Sequence, residues 1–290
     1  MTDQKPFESS RAESSRASVG ETLTPSERRR LRFRRIPLRV VLPNLVTLLA
    51  LCMGLTAIRF AVEGRFETAV TAVMAAALLD GLDGRLARAL KGTSRFGAEL
   101  DSLADFVDFG VAPGLLLYFW ALHEIKGLGW FAALAFAIAA ALRLARFNVM
   151  VEDPARPAWH GDFFVGMPAP AGAVTVLLPL YLHLSVLELP GTKSLAPFYI
   201  VYVLVIALLM ASRIPHYSGK RIGRIPRDLV IPLLFGVGVT ALLLAIYPME
   251  ILAVLGLSYL ALIPFGVRRY NELARADVAK AEGGGAEPPS

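Results

Sequence analysis

A single cysteine, Cys52, stands in the whole chain, and it lies in an apolar run, so no disulfide framework within the chain is possible. Charge is scarce as well. Only 19% of the 290 residues are Asp, Glu, Lys or Arg, where a water-soluble globule carries about 25%. There are four histidines. His160 and His216 fall in loops and make no metal-binding spacing with each other, so both read as solvated or interfacial side chains. Residues 1–30 are polar with no apolar core, and no cleavable signal peptide is expected there. No internal repeat and no soluble catalytic domain can be read from the chain.

What is abundant is apolar: 55% hydrophobic residues and a mean hydropathy of +0.55. The fold class expected is all-α, a polytopic membrane helix bundle. Runs near the ~20 residues needed to cross a bilayer number eight, at about 41–62, 67–88, 99–122, 128–149, 168–188, 195–212, 229–247 and 250–267. They form one membrane domain, 41–268, between two tails, 1–27 and 269–290, whose composition gives no reason to fold. Residues 28–40 are basic, with Leu31, Phe33, Ile36 and Leu38 interleaved. They read either as an interfacial amphipathic juxtamembrane segment on anionic lipid or as a plain charge anchor for the first span. The net charge of +6 does not point to nucleic acid, because the basic residues cluster beside apolar spans. Arg85, Arg88, Lys91, Arg95, Arg143, Arg146, Arg156, Arg213, Lys220, Arg221, Arg224, Arg227, Arg268 and Arg269 fall on one side of the eight-span topology. Only Arg59, Arg65, Lys126 and Lys193 fall on the other. The positive-inside rule then puts both termini, and the acidic stretch described next, on the cytoplasmic side.

Against this apolar background one stretch, Asp80 to Asp105, gathers the aspartates Asp80, Asp83, Asp101 and Asp105. Residues three or four apart share a helix face. Asp80, Asp83, Gly84, Ala87 and Arg88 therefore make one stripe, and Gly97, Asp101 and Asp105 a second. The turn from Lys91 to Arg95 separates them, with Gly92 as the expected helix stop. Two antiparallel helices would bring the acidic faces together, and like charges so placed repel unless cations lie between them. Oxygen-only ligands favour a hard metal such as Mg²⁺ or Mn²⁺. A diphosphate bridging two such ions is the natural substrate for this arrangement, and Arg88 is suited to clamp its phosphate. Gly84 and Ala87 are small enough to admit a base or ribose, and equally suited to close helix packing. An ion path through the four aspartates, in a divalent-cation or proton transporter, is the competing reading. It fits less well, because transport sites lie near the midplane and an arginine within the motif opposes cation passage.

The full pattern, D-x2-D-G-x2-A-R-x8-G-x3-D-x3-D, resembles the signature of the CDP-alcohol phosphatidyltransferases, integral membrane enzymes of phospholipid synthesis. The resemblance implies that Asp80, Asp83, Asp101 and Asp105 hold two divalent cations and that Asp105 is also the general base. Pro43, Asn44 and Thr47 opening the first span, and Ser94 in the turn, also resemble this family. Together with Gly84, Ala87, Arg88 and Gly97 they imply a site for CDP-diacylglycerol. A homodimer is what the family suggests.

Four further stretches, Phe96–Pro113, Arg143–Val149, Phe163–Ala173 and Ser212–Lys220, are similar to the branch of the family whose acceptor is L-serine. The resemblance then covers residues 36–247. Acceptors such as glycerol 3-phosphate or inositol phosphate are the alternatives within the family. Asp108 and Gly114 depart from that branch's usual pattern. Serine carries a carboxylate and an ammonium, so its site needs a cation and an acceptor. Arg143, Arg146, Asn148, Arg213 and Tyr217 at cytoplasmic helix ends are the candidates, with Arg146 expected to partner the carboxylate and Asp108 the ammonium. Each of the basic ones is equally explained as a positive-inside anchor.

Overall fold

The computed structural model describes residues 38–151, 163–185, 194–217 and 227–283. Apart from one small hairpin it is helical throughout. α1 (Leu38–Val62) and α2 (Phe66–Ala89) form the most extensively packed pair, an antiparallel hairpin. The buried residues of the pair are mostly small, among them Ala50, Ala57 and Ala61 on α1 and Ala69, Ala72 and Ala76 on α2. Between membrane helices there is no hydrophobic driving force, and small side chains let backbones approach until dispersion holds them.

The chain then turns into α3 (Arg95–Phe106), a five-residue π turn (Val107–Val111) and α4 (Ala112–Trp120), which together make one apolar stretch of 26 residues. The π turn has a local cause. Pro113 brings no N–H to the helix and its ring crowds the preceding turn. The backbone widens just before it, with the Ala112 N–H bonding the Val107 carbonyl five residues back. α5 (Lys126–Val151) returns across the bundle. Then come β1 (Phe163–Val165), two short helices α6 (Ala169–Val176) and α7 (Leu178–Leu184), α8 (Ala196–Ala211), β2 (Pro215–Tyr217), α9 (Arg227–Ile246) and α10 (Pro248–Gly283). β1 and β2 pair antiparallel, Phe163 opposite Tyr217. The core runs through the middle of the bundle and includes Phe109, Leu116, Phe136, Leu177, Tyr181, Ile206 and Met210.

Five helical stretches are long and apolar enough to cross a membrane: Leu38–Val62, Arg95–Trp120, Leu122–Met150, Leu229–Ile246 and Pro248–Tyr270. The protein is an integral membrane protein of helices. The other three expected spans differ for physical reasons. α2 has 24 residues, about 36 Å of helix, but its last turns carry the acidic motif and lower its hydropathy. The run at 168–188 divides at Leu177 into α6 and α7, with Pro170 and Pro179 near their starts. α8 has 16 residues, about 24 Å, short of a ~30 Å hydrocarbon core.

Two local expectations also change. The helix stop after α2 is Lys91, not Gly92: Lys91 takes the left-handed conformation at φ 50°. The Lys91 N–H bonds the Arg88 carbonyl and the Gly92 N–H bonds the Ala87 carbonyl at 2.9 Å, the double bond of a Schellman cap. Gly92 serves another purpose, since a Cβ there would overlap the Arg39 carbonyl at the head of α1. α10 continues to Gly283, past the Arg268 boundary at which the tail was expected to begin. The basic segment 28–40 lies outside the described residues apart from Leu38–Val40, which open α1.

Candidate active site

The acidic motif is assembled by α2 and α3 with α1 behind them. One carboxylate oxygen from each of Asp80, Asp83 and Asp101 lies within 4.8 Å of the others. Asp83 is buried, and the Thr47 hydroxyl holds its orientation by donating to Asp83 Oδ2 at 2.6 Å. Asp105, one turn beyond Asp101, brings its carboxylate up against that of Asp80. Two carboxylates at that range hold a shared proton or a cation between them. Asp105 Oδ1 is buried without a hydrogen-bond partner, an arrangement that costs stability unless something else satisfies it. Four carboxylates, no nitrogen or sulfur donors, and an oxygen lacking a partner fit a hard divalent cation at this point.

Beside the acids opens a cleft of about 230 Å³. Asn44 and Thr47 from α1, Gly84, Ala87 and Arg88 from α2, Ser94 from the α2–α3 turn and Gly97 from the first turn of α3 all line it, together with Asp83 and Asp101. Every residue expected to touch the nucleotide lipid thus shares one cavity with two of the clustered aspartates. Ser94 caps α3 by accepting the Gly97 N–H at 3.0 Å. The glycine is needed because a Cβ there would fall 2.7 Å from Asn44 Oδ1. Arg88 is exposed at the rim. Thr93 also lines the cleft. It was missed because, next to Ser94, it read only as part of a polar turn.

The expected acceptor residues divide. Arg143 on α5 is 7% exposed and reaches Asp105 electrostatically, with its guanidinium over the Phe147 ring. Arg146, one turn on, donates from Nη1 to the Ser212 carbonyl at 2.9 Å and so ties α5 to the end of α8. Asn148 donates to the Ser102 hydroxyl at 3.0 Å, a contact between α5 and α3. Arg213 is exposed just after α8, and Tyr217 belongs to β2. Asp108 lies in the π turn, 1% exposed, with neither oxygen hydrogen-bonded. It interacts electrostatically with Asp80 and Asp83 and occupies the space that Gly54 leaves open on α1.

Residues 40–264 match the family model for CDP-alcohol phosphatidyltransferase. The chain belongs to the CDP-alcohol phosphatidyltransferase family. Among curated relatives, the CDP-diacylglycerol–serine O-phosphatidyltransferase of Mycobacterium leprae is 40% identical over 245 residues, 84% of this chain and 80% of that one. The protein of the same name from Helicobacter pylori is 37% identical over 182 residues, 62% of this chain and 73% of its own. That from Bacillus subtilis is 33% identical over 179 residues, 61% of this chain and 91% of its own. The family match runs from α1 into the first half of α10.

Proposed function

We propose that this phosphatidyltransferase moves the phosphatidyl group of CDP-diacylglycerol to the hydroxyl of L-serine, giving phosphatidylserine and CMP. The names carried by its relatives support serine as acceptor. The single observation that carries the chemistry is the shared cavity, in which a nucleotide-sized cleft opens directly onto Asp83 and Asp101.

Two divalent cations, Mg²⁺ or Mn²⁺, held by Asp80, Asp83, Asp101 and Asp105 would neutralise the diphosphate and make its phosphorus electrophilic. Asn44, Thr47, Ser94 and Gly97 hold the cytidine end, Gly84 and Ala87 leave room beside the helix, and Arg88 binds phosphate oxygens from the rim. Asp105 accepts the hydroxyl proton as the serine oxygen attacks the phosphorus bearing diacylglycerol. The bond from that phosphorus to the bridging diphosphate oxygen breaks, and its electron pair leaves with CMP. An ordinary aspartate has a pKa of about 3.9 and is a weak base for an alcohol. Alignment of the hydroxyl against Asp105 therefore matters more than basicity. Arg143, the buried cation beside Asp105, takes the serine carboxylate, and Asp108 is the acceptor for its ammonium. Asn148 and Arg213 complete the surrounding wall, and Arg146 supports it by holding α5 to the end of α8.

The same proposal includes eight membrane crossings, an active site and both termini on the cytoplasmic side, and a homodimer. It also has the basic segment 28–40 lying on anionic lipid.

The test is a headgroup assay on the purified protein. L-Serine with CDP-diacylglycerol should yield phosphatidylserine and stoichiometric CMP, with little product from glycerol 3-phosphate or inositol. Synthesis of phosphatidylglycerophosphate with serine ignored would move the assignment to another branch of the family. Metal flux into liposomes without CMP release would replace the enzyme by a transporter.

A further inference from the structure

The nucleotide cleft has a continuation on the far side of the aspartates. Val73, Ala77, Asp80, Gly84 and Ala87 follow one another on α2 at spacings of four and three residues, so they share one helix face. Gly84 and Ala87 line the cleft, and Asp80 belongs to the carboxylate cluster. Val73 and Ala77 line a second cavity, of about 170 Å³, formed by α2, the π turn, α6, α7, α9 and α10. None of its described lining residues is charged. This cavity runs into the bundle away from the motif. Asn148 on α5 meets Ser102 at the motif end, and Arg146 ties that end of α5 to the end of α8. The β2 strand that follows pairs with β1, just before α6. α6 therefore starts at the end that holds the aspartates, and Tyr181 on α7 lies deep. α10 runs back beside these helices. A Cβ on Gly256 would lie 3.6 Å from the Val174 carbonyl of α6, which sets Leu252, one turn earlier, at the level of α7.

We infer that this cavity takes one acyl chain of CDP-diacylglycerol, and that Tyr181 and Leu252 at its deep end set the chain length the enzyme prefers. The inference rests on the reading of CDP-diacylglycerol as the lipid substrate. That lipid has the same order of polarity as this face of α2: cytidine, then diphosphate, then hydrocarbon. With the cytidine in the cleft and the diphosphate at the aspartates, the glycerol leaves toward Ala77, and the cavity is the apolar space beside it. From Asp80 to Val73 is seven residues, about 10 Å of helix. A short chain fits within that depth, and a long one reaches the end. Tyr181 and Leu252 are both buried and belong to the core, so they close the cavity with packed side chains. Methylenes beyond such an end must leave the pocket or displace a close-packed wall. α7 and α10, which carry no part of the aspartate motif, thus select the lipid on which α2 and α3 act.

Leu252→Phe adds bulk at the deep end, and Tyr181→Leu removes it. The readout, on the full-length protein in mixed micelles at saturating L-serine, is the ratio of kcat/KM for dipalmitoyl over dioctanoyl CDP-diacylglycerol. It should fall about tenfold in Leu252→Phe and rise about tenfold in Tyr181→Leu, the discrimination an apolar pocket draws from a methylene or so. The KM for L-serine should hold in both. A purely structural role moves both lipids together, so a ratio unchanged in both variants, or shifted the same way in both, overturns the inference. A second measurement needs no variant. CDP-diacylglycerol with a diazirine at the end of one acyl chain, irradiated on the parent protein, should label Tyr181 or α10 around Leu252. Labelling confined to exposed residues such as Phe235 on α9 would leave both chains in the bilayer and also overturn it. Failure of the parent protein to release CMP from either lipid, whatever alcohol is supplied, would overturn the substrate reading beneath the inference.

Discussion

The Thr47 hydroxyl on α1 donates to Asp83 Oδ2 on α2 at 2.6 Å while also contacting the Pro43 carbonyl at 3.2 Å. The first helix therefore aims a carboxylate of the acidic cluster without belonging to the motif. Partners of metal ligands fix ligand orientation, and their loss costs about 10–100-fold in metal affinity or activity. Thr47→Val keeps the shape and deletes the donor. Its activation by Mn²⁺ or Mg²⁺ should shift at least about tenfold to higher concentration, with full activity recovered at saturation. EDTA should silence both proteins. An unchanged metal-activation curve in Thr47→Val would remove the orienting role.

Gly97 and Asn44 make a second contact between the same regions. A Cβ at position 97 would fall 2.7 Å from Asn44 Oδ1 and 3.1 Å from Ser94 Oγ, so Gly97→Ala must displace two side chains that line the cleft. The expected result is a KM for CDP-diacylglycerol raised about tenfold, as for a lost hydrogen bond or two, with the serine KM unaffected. Adding Asn44→Ala should then cost less than it does alone, because the two changes strike the same contact. Strict additivity in that double-mutant cycle would show that the two residues act separately.

The acidic motif was legible because its chemistry is local. A strict spacing of three and four residues puts the aspartates on helix faces whatever the tertiary fold, and the structure brings three of them within 4.8 Å. Asn44 and Thr47 were legible through a motif on a separate helix, and the cleft joins them to α2 and α3. What was hidden depends on neighbours remote in sequence or on a balance of small backbone costs. Lys91 adopts a left-handed conformation worth about 1–2 kcal/mol of strain because Gly92 is occupied by the approach of Arg39. The π turn answers Pro113, but proline alone does not say whether a helix kinks, breaks or widens. The break that divides α6 from α7 was hidden because hydropathy averages over helix breaks.

Asp108 and Gly54 give a stability prediction independent of turnover. A Cβ on Gly54 would overlap the Asp108 carboxylate, which is buried in the π turn without a hydrogen-bond partner. Overpacking of this kind costs about 1–3 kcal/mol. Gly54→Ala should lower the unfolding temperature in detergent, and Asp108→Ala introduced with it should restore most of the loss. If Gly54→Ala unfolds at the temperature of the parent protein, the two helices have room to part and the contact is not tight.

The last prediction separates two arginines one turn apart on α5. Sequence alone offered both Arg143 and Arg146 as cations for the serine site and put Arg146 first as partner of the carboxylate. The structure gives them different work: Arg146 donates to the Ser212 carbonyl at 2.9 Å, and Arg143 lies buried with Asp105 as its electrostatic neighbour. The Ser212 carbonyl lies at the end of α8, where helix carbonyls lack intrahelical partners. An arginine there closes the helix and joins it to α5. Removing it leaves a half-buried carbonyl without its donor, a cost of about 1–3 kcal/mol. Arg146→Ala should therefore lower the melting temperature while the two KM values of the folded fraction stay together. Arg143→Ala should raise the KM for L-serine by about tenfold or more and leave that for CDP-diacylglycerol in place, because uniform binding of one substrate is what is lost. Steady-state kinetics at saturating co-substrate, with melting curves on the same preparations, decide between them. If Arg146→Ala selectively weakens serine while Arg143→Ala affects only stability, the acceptor pocket lies nearer Ser212, on the side of Arg213 and Tyr217, and the roles assigned to the two arginines exchange.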